Sequence, residues 1–109
     1  MKNIPAQEAH RLVEDEGAVL IDVRERDEWD EMRVPGAMLH PLSKYEGDPS
    51  QVPAADKTIF ICTQGNRSQA AAAIYEEANP GSEAFNLEGG LASWAGYGLP
   101  FEIGPPSTA

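Results

Sequence analysis

The stretch Thr58-Ile59-Phe60-Ile61-Cys62-Thr63-Gln64-Gly65-Asn66-Arg67-Ser68, continued through Ala70-Ala71-Ala72-Ala73 to Asn79, changes character twice. Thr58 to Ile61 are β-branched or aromatic and read as a strand ending at Cys62. Residues 63 to 67 are polar and include a glycine, which reads as a tight loop. From Ser68 to Asn79 the alanine run strongly favours helix. Strand, loop and helix in that order are the building unit of a protein whose parallel strands are covered by helices.

The alternation extends in both directions. Pro5 to Glu16 carries Ala9, Leu12 and Val13 at helical spacing, with Pro5 suited to the first turn and Gly17 to the C-cap. Ala18-Val19-Leu20-Ile21-Asp22-Val23 is a short apolar run of the kind found in strands covered on both faces. Asp27 to Met32 reads as a short helix holding Trp29, and Pro35-Gly36-Ala37 separates it from a second apolar stretch, Met38-Leu39-His40. Residues 43 to 57, rich in Gly, Pro, Asp and Ser, read as a loop. Downstream, Pro80-Gly81 ends the long helix, Ala84-Phe85-Asn86-Leu87 supplies another strand, and Gly89-Gly90 precede a short helix with Leu91 and Trp94. The expectation is an α/β sandwich around a mostly parallel sheet. The chain after Phe101 reads as loose, with residues 104–109 set apart as a flexible tail to one domain over residues 1–103.

The bulk properties narrow the function classes. A chain of 109 residues is long enough to bury a core without a disulfide or a metal. No apolar run approaches the roughly 20 residues of a membrane span, and Met1-Lys2-Asn3-Ile4-Pro5 lacks the apolar region of a secretory signal. A cytoplasmic protein is therefore expected. Acidic residues outnumber basic ones 18 to 8, and the clusters Glu14-Asp15-Glu16 and Glu25 to Glu31 would repel a phosphate backbone. Nucleic acid is not expected as a partner, and the clusters read as a solvated surface. With a single cysteine there is no internal disulfide, no dithiol pair and no Cys-rich zinc site. Neither a cofactor nor a metal is expected.

Ligands of open α/β sheets bind beyond the carboxyl ends of the strands, which is where Cys62 falls. Gly65 and Asn66 tolerate left-handed backbone and Ser68 can cap the helix, so Thr63-Gln64-Gly65-Asn66-Arg67-Ser68 suits a loop with inward N–H groups. A thiol in such a cradle, at the positive end of a helix, is favoured as thiolate and its pKa is expected below the free value. His10 and His40 lie in the first helix and a Pro-flanked stretch, which gives a Cys-His pair little support. The residues also fit a plainer reading, with Cys62 a buried packing residue and Arg67 a solvated cation.

Three segments together resemble the rhodanese-like domain family over nearly the whole chain. Leu20-Ile21-Asp22-Val23-Arg24 with Glu28-Trp29 and Pro35-Gly36-Ala37 is similar to its first signature, and Phe60-Ile61-Cys62 through Ser68 to its active-site loop. Asn86-Leu87-Glu88-Gly89-Gly90-Leu91 to Trp94, followed by Gly98-Leu99-Pro100, is similar to its C-terminal signature. The resemblance implies a three-layer sandwich, Cys62 as nucleophile, and residues 63 to 68 as the loop that binds the transferred sulfur. It makes Asp22 and Arg24 a structural ion pair. It also implies a sulfurtransferase that takes sulfur from a small anionic donor such as thiosulfate and passes it from a Cys62 persulfide to a thiol, cyanide or a protein acceptor. Met32-Arg33-Val34 departs from the family's frequent Gly-His-Ile, so that Arg33 reads either as an exposed cation, the favoured reading, or as a group at the pocket mouth. Two other readings share the fold: a non-catalytic interaction module, which frequently lacks the cysteine, and a cysteine phosphatase or arsenate reductase. Phosphatases similar to this fold place one more residue between cysteine and arginine than the loop from Cys62 to Arg67 has.

Overall fold

A computed structural model describes residues 1–45, 50, 52 and 54–104. Along the chain the elements are β1 (Lys2–Ile4), α1 (Ala6–Glu16), β2 (Val19–Asp22), α2 (Arg26–Glu31), β3 (Met32–Arg33), β4 (Met38–Leu39), α3 (Leu42–Tyr45), β5 (Lys57–Ile61), α4 (Asn66–Ala78), β6 (Glu83–Leu87), α5 (Gly90–Gly96) and β7 (Glu102–Ile103). Five strands form one sheet in the order β1-β6-β5-β2-β4. Every pairing in it is parallel, with Ile21 beside Phe60 and Phe60 beside Asn86 at the centre. β3 and β7 make a separate antiparallel ribbon.

The side-chain period of two divides the apolar residues between two cores. Leu20, Ile59, Ile61, Phe85 and Leu87 pack with Ala6, Ala9 and Leu12 of α1 and with Leu91 and Trp94 of α5. Ile21, Phe60, Cys62 and Ala84 take the opposite face, against Ala71, Ala72 and Tyr75 of α4. The result is the α/β sandwich with helices on both faces. In α4 the buried residues Ser68, Ala71, Ala72 and Tyr75 fall three to four apart on one stripe. Alanine at two of these positions lets the helix backbone lie close to the sheet, and the Tyr75 ring rests 5.3 Å from that of Phe60. α1 starts after Pro5 and ends at Gly17, whose N–H bonds the Leu12 carbonyl, as the sequence signals indicate.

Several expectations need correction. α4 begins at Asn66 rather than Ser68, after an N-cap at Gly65, and Ser68 makes no cap. Residues 43–45 belong to α3, where a loop is expected, and Lys57 already belongs to β5. Residues 46–49, 51 and 53 of that loop lie outside the described residues. Glu102 and Ile103 pair with Arg33 and Met32, and the Gly104 N–H bonds the Glu31 carbonyl, so the chain is not loose directly after Phe101. Residues 105–109 of the expected tail lie outside the described residues. Arg33 is not an exposed cation. Its buried guanidinium donates to the Trp29 and Gly104 carbonyls at 3.1 and 2.6 Å and pairs with Glu102, which fastens the ribbon to α2. Because β1, β3 and β7 are only two or three residues long, their partners decide them and local propensity does not.

Candidate active site

The extended run of β5 delivers Cys62 to the carboxyl end of a strand flanked by β6 and β2, and the chain then turns sharply to enter α4. Gly65 makes the turn with φ +98°, a backbone that favours glycine. A Cβ there would also stand 3.3 Å from the Gly89 nitrogen and the Leu87 oxygen. The turn aims the Gly65 N–H at the Cys62 sulfur, 3.0 Å away. The Ser68 hydroxyl stands 3.3 Å from the same sulfur and 2.5 Å from Asn86 Oδ1. Asn86, buried on β6, also donates through Nδ2 to the Gly65 carbonyl at 3.2 Å and to Asn3 Oδ1 at 2.9 Å. One amide side chain thus ties both ends of the turn to the sheet.

Cys62 is only 1% exposed. Burial pushes the thiol up, but the Ser68 hydroxyl and the backbone N–H groups of Ser68, Gly65 and Gln64 outweigh it and hold its pKa below the ordinary value. An open hollow of about 240 Å³ above the sulfur is lined by Cys62, Thr63, Gln64, Asn66 and Arg67. Of the loop residues singled out in the sequence, these five meet at the hollow. Gly65 and Ser68 are buried beneath it and act on the sulfur from below.

Arg67 does not stand free. Its Nη1 and Nη2 donate to Glu28 Oε1 and Oε2 at 2.7 and 2.8 Å, a two-pronged pair closed by Thr63, whose hydroxyl donates to Glu28 Oε2 at 3.2 Å. The Arg67 guanidinium pulls the Glu28 pKa down to about 2, against the cost of burial and with help from the Glu25 N–H. Glu28 is the site residue that sequence reasoning missed, because it falls within an acidic cluster that reads as solvated surface. Its signal was its place at N3 of α2, where it also closes a reciprocal capping box with Glu25. On its other side Glu28 borders a second, larger cleft of about 400 Å³ with Arg24, Glu31, Met32, Thr63, Leu91 and Ala92.

Two further supports hold the loop. Asp22 and Arg24 form a buried pair at the end of β2, with Arg24 Nη2 reaching the Met32 carbonyl at 2.5 Å and thereby fixing α2 beside the loop. This is the structural role expected of them. From above, α5 approaches so closely that the Leu91 and Ala92 N–H groups bond the Cys62 and Thr63 carbonyls at 2.8 and 3.1 Å. His10 packs edge-on against Trp94, the His40 N–H bonds the Asp22 carbonyl, and neither lines the hollow. Among the described residues no cluster of His, Cys, Asp and Glu is arranged to hold a metal ion, and no helix is long and apolar enough to cross a membrane.

A central parallel sheet, helices on both faces and a strand-end cysteine inside a loop of inward N–H groups define a small α/β protein with a buried thiol at the carboxyl end of a central strand. The chain belongs to the rhodanese-like domain family, whose sequence profile matches residues 5–97. It is 30% identical over 92 residues to a sulfurtransferase of Allochromatium vinosum, covering 84% of this chain and 85% of that one. It is 33% identical over 94 residues to a thiosulfate sulfurtransferase GlpE of Pseudomonas syringae, covering 85% and 86%. Among solved structures it resembles a rhodanese-related protein from Thermoplasma volcanium with a TM-score of 0.80 and 26% identity, over 94% of this chain and 98% of that one.

Proposed function

We propose that the protein is a sulfurtransferase in which Cys62 is the nucleophile and residues 63 to 68 bind the sulfur in transit. The observation that carries this reading is the Cys62 sulfur itself, buried yet met by the Gly65 N–H at 3.0 Å and the Ser68 hydroxyl at 3.3 Å. These donors stabilise a negative sulfur, and they do so without a histidine base. Relatives that carry sulfurtransferase names along most of their length support the same reading.

The reaction proceeds in two displacements. The Cys62 thiolate attacks the sulfane sulfur of a donor such as thiosulfate, the S–S bond of the donor breaks, and sulfite leaves with the bonding pair. The Cys62 persulfide keeps its negative charge on the outer sulfur, which occupies the hollow above the loop. A nucleophilic acceptor, whether cyanide in an assay, a thiol or a protein, then takes that sulfur and restores the thiolate. In each step the bonding pair leaves with the departing group, so neither displacement needs an external oxidant or reductant. The reaction is proposed for the cytoplasm, where a free thiolate remains reduced.

Phosphate ester hydrolysis is disfavoured by two features of the loop. The stretch from Cys62 to Arg67 is short, and the Arg67 fork that would hold a tetrahedral phosphate is taken by Glu28. An intact mass spectrum after incubation with thiosulfate tests the proposal, with aryl phosphate hydrolysis assayed alongside. Wild type should gain one sulfur atom that reductant removes, and Cys62→Ser should gain none and lose all transfer to cyanide. Transfer retained in Cys62→Ser, or phosphatase activity without a persulfide, overturns it.

A further inference from the structure

Glu28 stands between the hollow over Cys62 and the larger cleft beside it. Arg67 lines the first, Glu28 lines the second, Thr63 lines both, and the two charged groups are bonded across the boundary at 2.7 and 2.8 Å. Among the described residues Arg67 is the single cation lining the hollow. Its fork is the group that a sulfonate bearing two negative charges would use, and a carboxylate already fills it. The cleft beyond offers no replacement. Its one cation among the described residues, Arg24, is spent on Asp22 and on the Glu28 and Met32 carbonyls, while Glu31 adds negative charge and Met32, Leu91 and Ala92 add apolar surface.

We propose that Glu28 is a specificity-determining residue that, by occupying Arg67, turns the site away from the thiosulfate dianion and toward organic sulfane donors carrying one negative charge. Thiosulfonates and hydropersulfides are of that chemical class, and their organic group fits the apolar part of the cleft. This rests on the sulfurtransferase reading above and adds the charge class of its donor. The chemistry is unchanged: the Cys62 thiolate takes the sulfane sulfur and the donor leaves as sulfinate or thiolate, with the S–S bonding pair. Glu28 acts through Arg67 and touches neither reacting sulfur. The hold is two-pronged, at 2.7 and 2.8 Å, and the Arg67 guanidinium keeps the Glu28 carboxyl below its usual range.

The probes are thiosulfate and the methanethiosulfonate anion, which share a sulfane sulfur on a sulfonyl group and differ by one charge. Persulfide formation on Cys62 is followed by intact mass and by transfer to cyanide, on wild type, Glu28→Gln, Arg67→Gln and the double variant. Glutamine has the same shape and preserves the capping hydrogen bond to the Glu25 N–H, and a thermal melt verifies folding. In wild type the kcat/KM for methanethiosulfonate should exceed that for thiosulfate. In Glu28→Gln the KM for thiosulfate should fall about tenfold with kcat little changed, while methanethiosulfonate moves by less than about twofold. That gain should vanish in the double variant, since the effect passes through Arg67. An unchanged donor ratio in Glu28→Gln, an equal loss with both donors, or a gain that survives in the double variant overturns the proposal while leaving sulfur transfer intact. Absence of a persulfide from either donor in every variant overturns the sulfurtransferase reading itself and this proposal with it.

Discussion

Burial alone would leave Cys62 a protonated packing residue among Ile21, Phe60 and Ala71, a plainer reading that the sequence also fits beside the reactive one. The donors around the sulfur separate the readings, among them the Gly65 nitrogen at 3.0 Å and the Ser68 oxygen at 3.3 Å. The single proton of the Ser68 hydroxyl is contested by Asn86 Oδ1. Beside a neutral thiol the amide oxygen takes it, and beside a thiolate the charge-assisted bond to sulfur is the stronger. Ser68 is therefore a donor that responds to the charge on Cys62. Because the thiol pKa lies below its ordinary value, alkylation of Cys62 should rise with pH and level off at a lower pH than for an unstructured cysteine peptide. Ser68→Ala should move that midpoint upward. A hydrogen bond to a charged group contributes about 1.5 kcal/mol or more, so the midpoint should rise by about one unit and alkylation at a pH below both midpoints should slow about tenfold. An unchanged profile in Ser68→Ala would leave the N–H groups as the sole stabilisers. For Glu28 the sign also follows from a depressed pKa: its pairing with Arg67 contributes stability that is fully present above 4.5 and is lost as pH falls toward about 2. Acid unfolding of Glu28→Gln should lack that component.

At the scale of elements, the loop is a product of three neighbours as much as of its own residues. β6 supplies Asn86, α2 supplies Glu28, and α5 supplies the two N–H groups on the Cys62 and Thr63 carbonyls. The α5 contact depends on Gly90, which opens the helix with φ +60°. A Cβ there would lie 2.4 Å from the Cys62 oxygen and 2.6 Å from the Thr63 carbonyl, both backbone atoms that cannot step aside. Gly90→Ala should therefore destabilise the protein by about 2–4 kcal/mol and disturb persulfide formation in what remains folded. Gly96→Ala in the same helix meets nothing within 4 Å and serves as its control, with stability unchanged or slightly raised. Paired denaturant melts decide it, and equal midpoints would falsify the close-approach argument. The strand-loop-helix unit around Cys62, the α1 and α5 segments and the parallel sheet were legible because each rests on local periodicity or on caps such as Gly17. What stayed hidden rests on contacts distant in sequence. The Glu28–Arg67 pair joins residues 39 apart, and the buried Arg33 guanidinium donates to the carbonyl of Gly104, 71 residues on. Neither the capping position of Glu28 nor the stretch Arg33-Val34-Pro35 names the distant partner that each charge meets.

For the whole molecule, the net charge of −10 on a body with a radius of gyration of 12.7 Å sets the field an anionic donor meets first. At an ionic strength of ~0.01 M the Debye length is about 30 Å, longer than that radius, and the donor feels the summed charge. At ~0.15 M the length is about 8 Å, and only the groups at the mouth act. Those groups supply little local attraction, since every arginine pairs with a carboxylate: Arg11 with Glu8 and Glu16, Arg24 with Asp22, Arg26 with Asp30, Arg33 with Glu102 and Arg67 with Glu28. The N–H groups around the Cys62 sulfur act over a few ångströms and carry no net charge. Raising salt across that range should therefore speed thiosulfate capture by roughly two- to fivefold. Repulsion scales with the product of the charges, so a donor with one negative charge should show about half that effect on a logarithmic scale. Stopped-flow capture rates at several salt concentrations, with both donors and with cyanide withheld, provide the measurement. A steep fall in rate with salt would mean that Arg67 presents its charge to the donor despite Glu28, and that the mouth outweighs the body. Equal slopes for the two donors would mean that salt acts on the protein and not on the approach of the anion.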